Sequence, residues 1–140
     1  MLTLDPEAID LATLRQIWTG APSRLDTASM DRVRASAAAV ERIVAGGETV
    51  YGINTGFGLL ANERIPAGRL AELQRNLILS HSCGLGDALP RYVTRLMIVL
   101  KLLGLGRGYS GVRPEVIGAL QGLLDRDAMP VIPAQGSVGA

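Results

Sequence analysis

The sequence contains only one cysteine, Cys83, and one histidine, His81, among 140 residues. A single cysteine excludes a disulfide within the chain and a cysteine-rich metal site. A single histidine excludes a multi-histidine metal centre, so we expect no metal cofactor. Excess charge of one sign is lacking too, because 14 Lys and Arg residues face 13 Asp and Glu residues. Without a uniform positive field, binding to nucleic acid or to an anionic membrane surface is not expected.

Long hydrophobic runs and a signal peptide are also missing. The most apolar run, Leu96 to Leu105, is ten residues long and contains Lys101, whereas a membrane span needs about 20 residues. Residues 1–7 include neither the basic segment nor the apolar segment of a signal peptide. These absences predict a soluble, cytoplasmic protein.

Charged residues are scarce, at 19% of the chain, where about 25% is usual in globular domains. Apolar residues reach 48%, which excludes an intrinsically disordered chain. The length is that of one ordinary domain. The apolar surplus predicts that the chain buries part of its surface against a partner or against a remainder of the protein that these residues do not include.

Helical periodicity, interrupted by glycine, is abundant. Apolar residues three and four positions apart predict five helices and a mainly α fold class. Asp10 is expected to cap the first helix, Asp26 or Ser29 to start the second, and prolines to open the last two. The first predicted helix ends at Gly20 and the second at Gly46. The third runs from Ala67 to Ser80, and the fourth and fifth begin at Pro90 and Pro114.

The fourth helix is apolar on nearly every side from Leu96 to Leu103, so we expect it at the centre of the helix packing. Three stretches show no helical pattern: residues 49–66, 104–113 and 129–140. Their glycine content is higher than simple connections require, which makes them the places to search for chemistry.

The first such stretch contains the motif Tyr51-Gly-Ile-Asn-Thr-Gly-Phe-Gly58, and five glycines lie within residues 46–58. Glycine permits unusual backbone conformations and lets a ligand approach closely. The Gly-Lys-Ser/Thr ending of a phosphate loop is absent. Composition alone favours a helix C-cap followed by a tight surface turn, whereas the polar side chains of Tyr51, Asn54 and Thr55 favour a ligand-binding loop.

A second polar cluster, Ser80-His81-Ser82-Cys83-Gly84, lies at the predicted end of the third helix. A histidine there is commonly a helix-end group stabilised by the helix dipole; the alternative is a functional histidine. Because apolar helix flanks Cys83, we expect a buried structural thiol rather than a nucleophile. The cluster has no acidic residue to complete a catalytic triad.

Two further glycine-containing segments each leave two interpretations open. The segment Arg107-Gly-Tyr-Ser-Gly-Val-Arg113 is either a loop in which Ser110 caps the fifth helix, or a loop that holds an arginine to meet a carboxylate. The segment Pro133-Ala-Gln-Gly-Ser-Val-Gly-Ala140 is either a mobile tail or an ordered internal segment. Its prolines and glycines favour the ordered segment.

These four segments occur in the order and spacing of the aromatic amino acid ammonia-lyases, which the sequence resembles from about residue 48 onward and less distinctly before it. The pair Ser80-His81 resembles the histidine ammonia-lyase branch, which converts L-histidine to trans-urocanate and ammonia in the first step of histidine degradation. Phenylalanine- and tyrosine-specific relatives generally show a different pair. The resemblance implies the fumarase/aspartase-like helical lyase fold and a homotetramer.

The resemblance also implies an electrophile made from the backbone, the methylidene-imidazolone (MIO) group, which needs no external cofactor. It arises when an Ala-Ser-Gly tripeptide cyclises and loses water. Ala140 matches the alanine of that tripeptide. Gly136 and Gly139 match the small neighbours that let the backbone fold sharply.

Site residues follow from the resemblance in the same way. Tyr51 matches the base that removes the β-proton; a free tyrosine has a pKa of about 10, so such a base needs surroundings that favour the phenolate. His81 matches a residue beside the substrate's imidazole ring, where it would set selectivity. The loop that would cover the site contains Asn54, Thr55, Gly56 and Gly58. For Arg107 and Tyr109 the resemblance implies a structural role near the site.

The sequence stops at Ala140, before the Ser and Gly that would complete the electrophile. We therefore interpret residues 1–140 as the N-terminal segment of an ammonia-lyase, interrupted at a modified residue, and expect this segment alone to be inactive. One alternative is a tyrosine or phenylalanine ammonia-lyase or aminomutase on the same scaffold. Another, if the chain truly ends here, is a catalytically inactive helical assembly module.

Overall fold

A computed structural model describes residues 1–58 and 61–136 of the chain. This part contains five α-helices, which confirms the mainly α fold class. They are α1 (Leu11–Trp18), α2 (Thr27–Gly46), α3 (Leu70–His81), α4 (Arg91–Gly106) and α5 (Pro114–Asp125). Within the described ranges, none of the helices is both long enough and apolar enough to cross a bilayer.

The first two helices begin where the sequence predicts. The Asp10 carboxylate accepts a hydrogen bond from Thr13 N at 2.7 Å, and the Asp26 carboxylate caps α2 by accepting from Ser29 N. Each carboxylate satisfies a backbone N–H that the first helical turn leaves without a partner. Gly47 ends α2 in the left-handed region, with φ of 74°.

The later helix boundaries differ from the prediction in two places. A 3-10 turn, Ala67–Arg69, precedes α3. Helix α4 runs on to Gly106, so residues 104–106 are helical, contrary to the prediction. Gly106 packs against Leu25 so closely that a Cβ atom there would lie 2.8 Å from the Leu25 side chain. This glycine therefore serves helix packing rather than helix termination.

Short strands, which the sequence analysis does not predict, complete the fold. Strand β1 (Leu2–Leu4) pairs in parallel with β2 (Ser23–Leu25), and β3 (Leu85–Ala88) pairs antiparallel with β4 (Pro133–Gln135). Strands of three or four residues are too short to show the alternation that identifies them in a sequence. Strand β4 confirms the ordered-segment interpretation for residues 133–135; residues 137–140 lie outside the described part.

Helix α4 lies at the centre, as predicted, and packs against α1, α2 and α5. Its buried apolar side chains meet those of the neighbouring helices and of the β1–β2 pair in one core, whose members include Leu4, Ile17, Leu25, Val33, Ile98, Val99, Leu102, Leu103, Ile117 and Leu124. The opposite face of α4 is different, because Met97 and Leu100 remain about half exposed.

Helix α3 lies outside this core. None of its residues is buried, although Leu73, Leu77, Ile78 and Leu79 are apolar. Ile78 and Leu79 are 67% and 61% exposed. An amphipathic helix gains most of its stability from packing its apolar face. Within the described residues the apolar face of α3 is largely uncovered; that it is buried against a partner or a remainder of the protein stays a prediction.

Candidate active site

Tyr51 lies in the loop between α2 and the 3-10 turn, directly before Gly52, which has φ of +79°. Its side chain is 63% exposed. The ring contacts Phe57 edge to face, with 5.7 Å between the ring centroids. Within the described residues the phenol hydroxyl has no hydrogen-bond partner. Tyr51 is thus held through its ring, while most of the residue remains exposed.

The side chain of Asn54 is hydrogen-bonded within its own loop. It is only 3% exposed. Its Oδ1 accepts from Val50 N at 2.9 Å, and its Nδ2 donates to the Glu48 carbonyl at 2.6 Å. Both polar ends of Asn54 therefore close the turn that carries Tyr51.

The side chain of Thr55 also bonds within the loop, and Thr55 is only 1% exposed. Its hydroxyl accepts from Gly52 N at 3.3 Å and donates to the Gly56 carbonyl at 2.9 Å. Gly56 N in turn donates to the Glu63 carbonyl at 3.0 Å. The polar side chains of Asn54 and Thr55 favour a ligand-binding loop in the sequence; in the structure they hold the loop together. Gly58, with φ of +59°, follows at the end of the first described range.

His81 is the last residue of α3 and is exposed. Its Nδ1 lies 2.9 Å from the Leu77 carbonyl oxygen and 2.9 Å from the Ser80 hydroxyl. The helix-end interpretation is correct for the position of this residue. It does not exclude a function, because Nε2 has no hydrogen-bond partner among the described residues.

Cys83 is exposed, so the expectation of a buried structural thiol is wrong. The reason lies in α3, which buries none of its residues and therefore offers the following Cys83 no enclosing surface. Among the described residues no group of three His, Cys, Asp or Glu side chains is placed to hold a metal ion.

Strand β4 and Gly136 lie directly against the residues that follow α3. Leu89 N donates to the Ile132 carbonyl at 2.8 Å at one end of the β3–β4 pair. At the other end Gly136, with φ of +130°, packs so closely that a Cβ atom would lie 2.3 Å from the Cys83 carbonyl oxygen. The tertiary structure thus brings together the second and the fourth of these sequence motifs, around His81 and Gly136. Gly139 and Ala140 lie outside the described residues.

The loop from Arg107 to Arg113 is fixed on α2. Gly111 N donates to the Ser36 hydroxyl at 2.9 Å, and a Cβ atom on Gly108 would lie 2.8 Å from the Arg32 carbonyl oxygen. The neighbouring Tyr109 is 90% exposed. This geometry favours a structural role for the loop.

The expected cap of α5 by Ser110 is wrong. The residue before Pro114 is Arg113, whose side chain makes no capping hydrogen bond. Ser110 lies too early in the chain, because an N-cap immediately precedes the first helical residue. Pro114 itself occupies the first turn, as predicted. Arg107 donates weakly to the Pro6 carbonyl, at 3.4 Å, and in the described residues it meets no carboxylate.

Within residues 1–58 and 61–136, no hydrogen bond joins the Tyr51 loop to the end of α3. The sequence does not predict the contact of Gly136 with Cys83, and its only sequence signal is that each of the two segments contains a glycine, Gly84 in one and Gly136 in the other. A Cβ atom on Gly84 would lie 2.7 Å from the Pro133 ring.

A family model described as aromatic amino acid lyase matches residues 9–140. The histidine ammonia-lyase of Bradyrhizobium diazoefficiens is 50% identical over 139 residues, which are 99% of this chain and 27% of that protein. The chain therefore spans about a quarter of the length of this relative.

Two solved structures are also similar. The crystal structure of histidine ammonia-lyase from Trypanosoma cruzi matches with a TM-score of 0.85 and 35% identity, over 99% of this chain and 27% of that one. The tyrosine aminomutase from Streptomyces globisporus matches with a TM-score of 0.90 and 28% identity, over 97% of this chain and 26% of that one. Proteins that are named for different reactions thus have a similar backbone fold in this region.

Proposed function

The chain belongs to the aromatic amino acid lyase family, and on that premise we propose that it is the N-terminal portion of an enzyme that eliminates ammonia from L-histidine to give trans-urocanate. The observation that carries the choice of substrate is the sequence identity: 50% to a histidine ammonia-lyase against 28% to a tyrosine aminomutase. The TM-scores do not separate these relatives, because fold alone does not specify chemistry.

Tyr51 is the residue we propose to take the β-proton of the substrate. Its exposed hydroxyl has no hydrogen-bond partner among the described residues, so the oxygen is available to a substrate. The turn that carries it is closed by the buried side chains of Asn54 and Thr55. A base on a preorganised loop loses little entropy when it meets its proton.

His81 is the residue we propose to orient the imidazole ring of the substrate. It is exposed at the end of α3, and both of its hydrogen bonds use Nδ1. Its Nε2 therefore stays available for the ring.

We propose that Ala140 contributes to an MIO electrophile, and the described position of Gly136 supports this. Gly136 lies closer to Cys83 than a residue with a side chain could. This contact places Gly136 beside the end of the helix that carries His81. When formed, the MIO group would supply the electrophile that makes the amine a leaving group. The residues of this chain would hold the substrate ring and remove the proton next to it.

We also propose that the complete protein is a homotetramer in the cytoplasm. Support for assembly comes from the exposed apolar side chains of α3 and of the outer face of α4, since large apolar patches commonly mark interfaces. Light scattering after size exclusion would measure the number of subunits, and cell fractionation would test the location.

The test of the proposed function uses the polypeptide encoded by the complete reading frame. The ultraviolet absorbance of the products from L-histidine, L-phenylalanine and L-tyrosine distinguishes urocanate, cinnamate and coumarate. We expect urocanate alone, together with the mass loss of a dehydrated Ala-Ser-Gly tripeptide. Cinnamate or coumarate as the main product would assign the protein to another branch, and an unmodified, inactive polypeptide would favour an assembly module.

A further inference from the structure

The imidazole of His81 makes two contacts through one nitrogen and none through the other. Nδ1 lies 2.9 Å from the Leu77 carbonyl oxygen and 2.9 Å from the Ser80 hydroxyl. Nε2 has no partner among the described residues. Both contacts of Nδ1 lie within the last turn of α3.

The chemistry of these partners determines where the proton lies. A carbonyl oxygen can only accept, so Nδ1 must be the donor. The Ser80 hydroxyl has one hydrogen, which lies within reach of two carbonyl oxygens, that of Asn76 at 2.7 Å and that of Leu77 at 3.2 Å. Donation to either carbonyl turns a lone pair of the Ser80 oxygen towards Nδ1, so both neighbours of Nδ1 are acceptors. In a neutral imidazole with the proton on Nδ1, Nε2 is an acceptor.

We propose that Ser80 and the Leu77 carbonyl fix neutral His81 in the Nδ1–H tautomer, so that Nε2 accepts a hydrogen bond from a ring N–H of the substrate. Ser80 is then a positioning residue that acts through His81. The inference rests on the proposed function and adds to it a physical basis for discriminating between substrate rings. A substrate ring without a hydrogen-bond donor leaves Nε2 desolvated and unpaired, which enzymes discriminate against strongly.

The tautomer is measured by nitrogen NMR on the complete protein, grown with ¹⁵N-labelled histidine and held at a pH of about 8.5, where an ordinary imidazole is neutral. His81→Gln identifies the signals of His81, because they disappear in that variant. We expect a protonated Nδ1 and an unprotonated Nε2 before substrate is added. A protonated Nε2 would overturn the proposal.

The role of Ser80 is tested with three variants. Ser80→Ala removes the hydroxyl, and we expect kcat/KM for L-histidine to fall about tenfold, mainly through KM, as the loss of one hydrogen bond would produce. Ser80→Thr keeps the hydroxyl and should restore the rate and the NMR signature. Ser82→Ala is the matched control, because its hydroxyl donates to the Ile78 carbonyl and does not touch His81.

Equal kcat/KM values in Ser80→Ala and Ser82→Ala would contradict the positioning role. Failure of the proposed function is a separate result. If the complete protein converts tyrosine or phenylalanine rather than histidine, the function is wrong whatever the tautomer. If it converts histidine with the proton on Nε2, only the present inference is wrong.

Discussion

Gly136 lies against Cys83 so closely that a Cβ atom at Gly136 would stand 2.3 Å from the Cys83 carbonyl oxygen. The same glycine has φ of +130°, which side-chain-bearing residues rarely adopt. Glycine is therefore favoured at position 136 for two reasons, the close contact and the unusual backbone conformation. The contact joins the end of α3, where His81 lies, to the segment that continues towards Ala140.

Gly136→Ala should therefore be destabilising. The added methyl must displace the Cys83 backbone or change φ, at a cost of about 1–3 kcal/mol. Urea unfolding followed by circular dichroism measures the change. Gly118→Ala on α5 is the control, because a Cβ atom there meets nothing within 4 Å, and alanine should stabilise the helix by up to about 1 kcal/mol. Equal stability of the two variants would contradict the close contact.

Gln121 joins α5 to the β1–β2 pair from a buried position. Its Nε2 donates to the Ser23 carbonyl and to the Asp125 carboxylate, each at 2.8 Å. Gln121→Ala leaves the buried Ser23 carbonyl without this donor, so we expect a loss of about 1–3 kcal/mol in the free energy of unfolding. The control is Gln74→Ala on the exposed side of α3, with an expected change within about 0.5 kcal/mol. A loss no larger than that of the control would show that Gln121 does not bind α5 to the strands.

Tyr51→Phe in the complete protein should lower kcat by about 10²–10⁴-fold, the range for loss of a general base. Because the Tyr51 hydroxyl has no partner in the described residues, stability should stay unchanged. The absorbance of the electrophile should also persist. Tyr92→Phe is the control, since the Tyr92 ring stacks on Trp18 at 4.1 Å between centroids and phenylalanine preserves that contact. Wild-type turnover in Tyr51→Phe would exclude Tyr51 as the base.

We expect the Asp10 carboxylate to make the stability of the protein depend on pH. The hydrogen bonds from Thr13 hold the pKa of the Asp10 carboxyl below its ordinary value. A carboxylate with a lowered pKa in the folded state stabilises at neutral pH, and this contribution is lost as the pH falls through the folded-state pKa. Asp10→Asn keeps a capping side chain but cannot titrate. The difference between wild type and Asp10→Asn in urea midpoint should therefore shrink between pH 7 and pH 3, and an unchanged difference would refute this role of the carboxylate.

At the end of α3, some features are predictable from the sequence and others are not. The motif around Ser80 and His81 was found because its residues are contiguous. The exposure of Cys83 was predicted wrongly, because burial depends on what covers a helix, and periodicity does not report that. The inward direction of Asn54 was also missed, since a polar side chain in a glycine-rich turn can serve a ligand or the turn itself.

By itself the sequence determined the helices, their starts at Asp10 and Asp26, and the family motifs, because capping and helical periodicity act over three or four residues and motifs are read along the chain. Only the tertiary structure decided that Gly136 meets Cys83 and that β3 pairs with β4. These contacts join residues far apart in the chain, and they form only when the packing of the helices between them has brought the two backbones together.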